Sequence, residues 1–187
     1  MDDHRLLDRI WRGDEAAFAD LFARHRAPVY RYAAHMIGPA DADDVVQETF
    51  LALLRQRDRY DVRRGPLQAY LLGIARRLIF RQFAAATTER RLEADAAGQT
   101  TATVRTPFDD LDRVEAIGRV RGAIGELPAV YREVIVLCEL NELDYARAAD
   151  VIGCPIGTVR SRLHRARGLL LERLRAMEQD TVSVNGR

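Results

Sequence analysis

Residues 127–175 read LPAVYREVIVLCELNELDYARAADVIGCPIGTVRSRLHRARGLLLERLR, and this stretch decides the fold. Pro128 suits the first turn of a helix that runs through YREVIVLCEL. Asp144 can cap a second helix, YARAADVI, and Gly153 after it suits a left-handed helix end. Cys154-Pro155 makes the turn into a long third helix. Two helices joined at a glycine-containing turn form a helix-turn-helix unit. At about 100° per residue, Val159, Leu163, Ala166 and Leu170 fall on one stripe that can face the preceding helices. Gly157, Arg160, Ser161 and His164 fall opposite, with Arg165 and Arg167 on the flanks. Arg162 lies at the edge of the buried stripe, where packing or a phosphate contact are both open to it. An arginine-bearing outward face suits the major groove of duplex DNA, where arginine reads guanine through two hydrogen bonds. A merely solvated amphipathic helix is the plainer reading, but helix, turn, helix and arginine face coincide here.

The rest of the chain also carries helical periodicity, with no convincing alternating strand. Gly13-Asp14 ends a short helix and caps another from Glu15 to about His35. Gly38-Pro39 stops that helix, and Asp41 opens the next, which ends near Gln56. An arginine-rich loop follows, and Pro66 starts a helix to about Phe83. Composition then turns to Ala and Thr, a linker over residues 85–107. The expected architecture is all-α. It comprises an N-terminal helical bundle (1–84) and a C-terminal helix-turn-helix domain (108–178), joined by a flexible linker and followed by a polar tail (179–187).

The 187 residues carry a net charge of only +1, unevenly spread. Residues 41–56 hold Asp41, Asp43, Asp44 and Glu48 against Arg55. Arginines dominate residues 57–91 and 156–175. One acidic and two basic segments point to a protein partner plus a polyanion. Every one of the 29 basic residues is arginine; this suits phosphate recognition, although genome composition accounts for the missing lysine more simply. No run approaches the roughly 18 apolar residues of a membrane span. The charged N-terminus lacks a signal-peptide pattern, so a cytoplasmic location is expected. Cys138 reads as a small core residue and Cys154 as a turn residue, with no metal-ligand spacing around either. His4, His25, His35 and His164 are scattered, and no nucleophile–base pair or glycine-rich phosphate loop appears. The sequence thus calls for no catalytic residue, metal or cofactor.

On the helix from Asp41, Val46, Phe50, Leu53 and Leu54 can point into a core. Asp44, Gln47, Glu48 and Leu51 form a neighbouring stripe that can dock a basic helix, the charges steering and the leucine filling a pocket; taken in isolation, a solvated helix face is the default reading. On the helix from Pro66, Leu67, Leu71, Ile74 and Leu78 make the core stripe, while Arg76, Arg77 and Arg81 project elsewhere. Phe80 and Phe83 either stack on unpaired bases beside these arginines or pack on neighbouring helices. Tyr60 faces the same choice and is assigned to the core.

Taken in order, DADDVVQETFLALLRQRDRYD, AYLLGIARRLI and the helix-turn-helix segment resemble the sigma-70 superfamily. The small two-domain size is similar to that of its extracytoplasmic-function (ECF) subgroup. The resemblance, which with FADLFARHRAPVYRYA covers nearly all the chain outside the linker and ends, implies a factor that directs bacterial RNA polymerase core to promoters. It implies that the segment with Asp44, Gln47, Glu48 and Leu51 binds the clamp helices of the largest polymerase subunit, and that the C-terminal domain meets the flap. The minus-10 element would be recognised and melted by the loop and helix carrying Arg57, Arg63, Arg64, Arg76, Arg77 and Phe80. The minus-35 element would be read by Thr158, Arg160, Ser161, His164 and Arg165. An anti-sigma factor is a further implied partner. The chain departs from the family pattern at Tyr70, where tryptophan is common, and at Arg77, Arg81 and Ala84, where Asn, Asp and Arg are frequent. A conventional helix-turn-helix repressor or activator is the alternative, opposed by the acidic stripe and basic loop of the N-terminal half.

Overall fold

The computed structural model describes residues 2–56, 59–93 and 111–184. These form α1 (Asp3–Ile10), α2 (Glu15–Ile37), α3 (Pro39–Arg55) and α4 (Leu67–Glu93), then α5 (Leu111–Gly125), α6 (Ala129–Ile135), α7 (Tyr145–Ile152) and α8 (Ile156–Val184). There is no strand among the described residues.

In the N-terminal domain, α2, α3 and α4 pack on one another and α1 lies against α2. Asp14 caps α2 by accepting from the Ala17 amide at 3.1 Å, and its other oxygen takes the Arg9 guanidinium at 2.8 Å. Gly38, at φ +97°, makes the corner between α2 and α3. Pro39 follows as the first residue of α3, where its missing amide costs no hydrogen bond. The helix therefore opens two positions before Asp41, which sits in its first turn and favours the positive end of the helix dipole. Phe18, Phe22 and Phe50 cluster in the core, with the Phe22 and Phe50 ring centres 4.8 Å apart.

Two core expectations need correction. Leu54 is 37% exposed. The buried stripe of α3 is centred on Val46, Thr49 and Leu53, which leaves Leu54 about 100° off its middle. Leu78 is only half-buried, because α4 turns Leu72, Ala75 and Ile79 fully inward instead. Nor does α4 stop near Phe83. It continues through the alanine-rich segment to Glu93, as befits the strongest helix former. The rest of the expected linker, residues 94–107, lies outside the described residues, as do the first residues of the expected C-terminal domain, 108–110, and the end of the tail.

In the C-terminal domain, α6 packs on α8, α7 on α8, and α5 on α8. One π-turn, Val136–Leu140, follows α6 directly. Asp144 caps α7 by accepting from the Arg147 amide at 2.8 Å. Gly153 ends α7 at φ +74°, and the Cys154 amide returns to the Ala149 carbonyl at 3.1 Å. Val159, Leu163 and Ala166 are fully buried against the other helices, while Leu170 is half-buried.

Nothing lies within 4 Å of a Cβ added at Gly153, so Gly153→Ala acts through the backbone alone. A left-handed residue with a Cβ costs about 1–2 kcal/mol, and the thermal midpoint should fall by about 2–4 °C per kcal/mol. Gly168→Ala, in the open space of an α8 interior, should raise it slightly. Opposite signs in calorimetry support the assignment, and equal signs would refute it.

Cys138 is half-buried, and burial, aided by the Glu139 carboxylate, pushes its thiol up to about 11. The thiolate is the nucleophile. At pH 8 iodoacetamide should therefore modify Cys138 on the order of a hundredfold more slowly than an ordinary thiol near 8.5. The rate should climb as the pH approaches that value. Peptide mapping after timed alkylation checks this, and rapid labelling at pH 8 would contradict it.

Candidate nucleic-acid interface

The outward face of α8 is built by its register. With Val159, Leu163 and Ala166 held inward, Arg160, Ser161, His164 and Arg165 are exposed together, and Thr158 is half-buried at the start of the helix. The Ser161 hydroxyl donates to the Thr158 carbonyl at 3.1 Å. Arg160 lies 5.9 Å from the centre of the Tyr145 ring at the start of α7. Arg167 is already engaged, donating from Nε to the Glu139 carboxylate at 3.0 Å. Arg162 is half-buried, at the edge of the packed stripe. One helix face thus offers cations and short polar groups, with a hydrophobic stripe fixing its orientation.

In the N-terminal domain, Asp44, Gln47 and Glu48 are exposed on α3 and Leu51 is half-buried beside them. The acidic stripe is continuous and faces away from the core.

The loop before α4 is shaped by Asp61. It caps a short 3-10 turn, Val62–Arg64, accepting from the Arg63 amide at 3.0 Å and from the Arg63 guanidinium at 3.0 Å. The hydrogen bond from the Arg63 side chain, then that from its amide, holds the Asp61 carboxyl below its ordinary range. Tyr60 is half-buried, its hydroxyl donating to the Gly65 carbonyl at 3.2 Å and its ring 5.3 Å from that of Tyr70. An open cleft of about 350 Å³ lies between this loop and α1, lined by Leu7, Trp11, Tyr60, Asp61 and Val62 among others. Arg63, Arg64 and Arg77 are exposed. Arg57 lies outside the described residues. Phe80 is half-buried, with the Arg76 guanidinium 4.4 Å from its ring centre, and Phe83 meets its edge at 5.8 Å and is 38% exposed.

Arg76 does more than flank Phe80. Its Nε donates to Glu133 at 2.7 Å, and the Tyr32 hydroxyl donates to the same carboxylate oxygen at 2.8 Å. Glu133 is on α6, so this buried cluster joins the two domains. Burial, and next the Glu133 charge, push the Tyr32 hydroxyl well above its ordinary range and keep it a donor. Sequence reasoning missed Glu133. Its signal was an acid at 133 on the apolar stripe with Val136, Leu137 and Leu140, spaced as one helix face.

The comparisons with known proteins agree with this geometry. A family model described as Sigma-70 region 2 matches residues 21–88, and one described as Sigma-70, region 4 matches residues 117–170. The chain is 31% identical over 170 residues to the "Probable RNA polymerase sigma-C factor" of Mycobacterium bovis, covering 86% of this chain and 84% of that one. It is 29% identical over 180 residues to the "ECF RNA polymerase sigma factor SigW" of Bacillus subtilis, covering 91% and 96% respectively. Among solved structures, the sigma factor RpoE in complex with the anti-sigma factor NepR from Bartonella quintana matches with a TM-score of 0.71 and 26% identity, covering 84% of this chain and 96% of that one. CnrH in complex with the cytosolic domain of CnrY matches with a TM-score of 0.67 and 29% identity, covering 93% and 97%. With both domain models matched in order and relatives aligned over nearly their whole lengths, the chain belongs to the ECF RNA polymerase sigma factors.

Proposed function

We propose a division of labour over the surfaces of this sigma factor. Asp44, Gln47, Glu48 and Leu51 dock on the clamp helices of the largest subunit of core polymerase, and the C-terminal domain meets the flap. The exposed face of α8, through Thr158, Arg160, Ser161, His164 and Arg165, reads the minus-35 duplex in the major groove. The loop and α4, through Arg57, Arg63, Arg64, Arg76, Arg77 and Phe80, hold the minus-10 element, and an extruded base enters the cleft beside Tyr60. Extrusion costs a few kcal/mol, offset by stacking and hydrogen bonds once the base is seated.

The observation that carries this reading is the register of α8, which exposes four polar or cationic residues of one face while burying the opposite stripe. The factor works through binding energy and performs no chemistry itself. No helix among the described residues is long and apolar enough to cross a membrane, and the site of action is the cytoplasm, where promoter DNA is found. By analogy with the sigma factor RpoE solved in complex with the anti-sigma factor NepR, an anti-sigma protein holds this chain in reserve.

Site-specific photocrosslinking within the holoenzyme tests the map. A benzophenone amino acid at Arg160 should crosslink to minus-35 duplex and one at Arg77 to the minus-10 non-template strand. Crosslinks from Arg77 to the minus-35 region, or from neither site to DNA, would overturn it.

A further inference from the structure

The cleft beside Tyr60 has α1 as its second wall. His4 and Trp11 line it from that helix, and Tyr60, Asp61 and Arg63 line it from the loop. α1 is fixed in place. Leu6, Leu7 and Ile10 are buried in the core, and the Asp3 carboxylate meets His25 Nε2 at 2.9 Å and the Arg24 guanidinium at 3.6 Å. The head of α1 lies close to Tyr60, whose hydroxyl is pushed above its ordinary range by burial and then by the Asp3 and Asp2 charges. That hydroxyl is committed to the Gly65 carbonyl at 3.2 Å, so the cleft is met by the ring. At about 350 Å³ the cleft is at the small end of the range for ligand sites, and it suits one ring system beside aromatic side chains.

Its polar edge is more selective than its walls. An ionised carboxylate has room for about four hydrogen bonds, all of them accepted. Asp61 Oδ1 accepts from the Arg63 amide and from Arg63 Nε, both at 3.0 Å, and Oδ2 accepts from Arg63 Nη2 at 3.1 Å. The place that remains is on Oδ2, and it takes a donor only. Adenine, cytosine and guanine each carry an exocyclic amine that can donate there. Thymine carries none, and its one ring N–H stands between two carbonyl oxygens that a carboxylate repels.

We propose that the cleft selects an amine-bearing base, with Asp61 accepting from the exocyclic amine while the ring lies between the loop and α1, and that it turns thymine away. The selection rests on the reading that an extruded minus-10 base enters the cleft. It makes α1 part of the promoter-binding surface and Asp61 a reader of base identity, beyond its part in shaping the loop.

The test uses the full chain assembled with core polymerase, on a promoter found by mapping start sites. Each non-template position of the minus-10 element is varied through the four bases and an abasic site. At one position the abasic site should be costly, and there thymine should lower transcription about tenfold relative to the preferred base. Asp61→Asn keeps an oxygen for the Arg63 amide and puts an N–H donor where the free acceptor was. It should lose most of the discrimination against thymine, at that position alone. The α1 wall is read separately. Azatryptophan in place of Trp11, the one tryptophan of the chain, is excited apart from the tryptophans of core polymerase. Its emission should fall when the non-template strand is added, and should not fall with the strand that is abasic at the sensitive position.

If the abasic site is costly but thymine there is accepted as well as the other bases, the selection is overturned and base capture stands. A thymine penalty that survives Asp61→Asn also overturns it, because Asp61 then reads nothing. Emission that ignores the strand removes α1 from the pocket and overturns the proposal as well. If no abasic site is costly, no base is captured, and the selection falls together with the reading beneath it.

Discussion

Replacing Asp44 and Glu48 together by arginine is expected to weaken binding to core RNA polymerase by about a hundredfold, since facing like charges cost several kcal/mol. Both residues are exposed, on the side of α3 away from Val46, Phe50 and Leu53, so the core has no reason to change. The thermal midpoint of the variant should match that of the parent. The loss should be greatest at low salt, where steering between exposed charges is strongest, and smaller at high salt. Fluorescence anisotropy of labelled chain titrated with core polymerase measures it. A variant that binds core as the parent does would remove α3 from the polymerase interface.

The second large effect is expected at Arg160. A bidentate arginine–guanine contact contributes about 1–3 kcal/mol of discrimination. Arg160→Ala should therefore reduce holoenzyme activity roughly tenfold to a hundredfold on the preferred promoter, and should erase preference at one base pair of the minus-35 element. Arg167→Ala should do much less, because Arg167 is held by Glu139. Promoters carrying every single substitution across the minus-35 element separate the two cases. If Arg160→Ala lowers activity equally on all of them, Arg160 meets a phosphate and reads no base.

How much of this was legible beforehand depended on whether the signal was local. The helix-turn-helix unit was, because its parts lie next to one another in sequence. The cap at Asp144, the left-handed Gly153 and the three-and-four spacing of Val159, Leu163 and Ala166 each act within a few residues. The end of α4 was misjudged because alanine- and threonine-rich composition reads as a linker, although alanine favours helix. Leu54 and Leu78 were misplaced for a different reason. A helix that packs on two neighbours has its buried stripe set by both, and single-helix periodicity gives only an average direction. The π-turn at Val136–Leu140 shifts the register after α6, and nothing in VLCEL announces it.

The cluster at Glu133 was the least legible. Tyr32 and Glu133 are 101 positions apart, and Arg76 and Glu133 are 57 apart. In the sequence, Arg76 is one more exposed cation, and Glu133 one acid in an apolar run. Only the packing of α6 on α2, and of α7 on α4, brings them together. The exposure of the residues assigned on α3 and α8 follows from local helix register, whereas the engagement of Arg76 by Glu133 does not.

This chain starts transcription by directing core polymerase to particular promoters. Transcription by purified core polymerase on a pool of genomic promoter fragments, with and without the chain, is the decisive measurement. Defined start sites that appear only when the chain is added, sharing two sequence elements upstream, are the expected result. A chain that neither binds core polymerase nor yields such transcripts, yet shifts duplex DNA by itself, would contradict the claim.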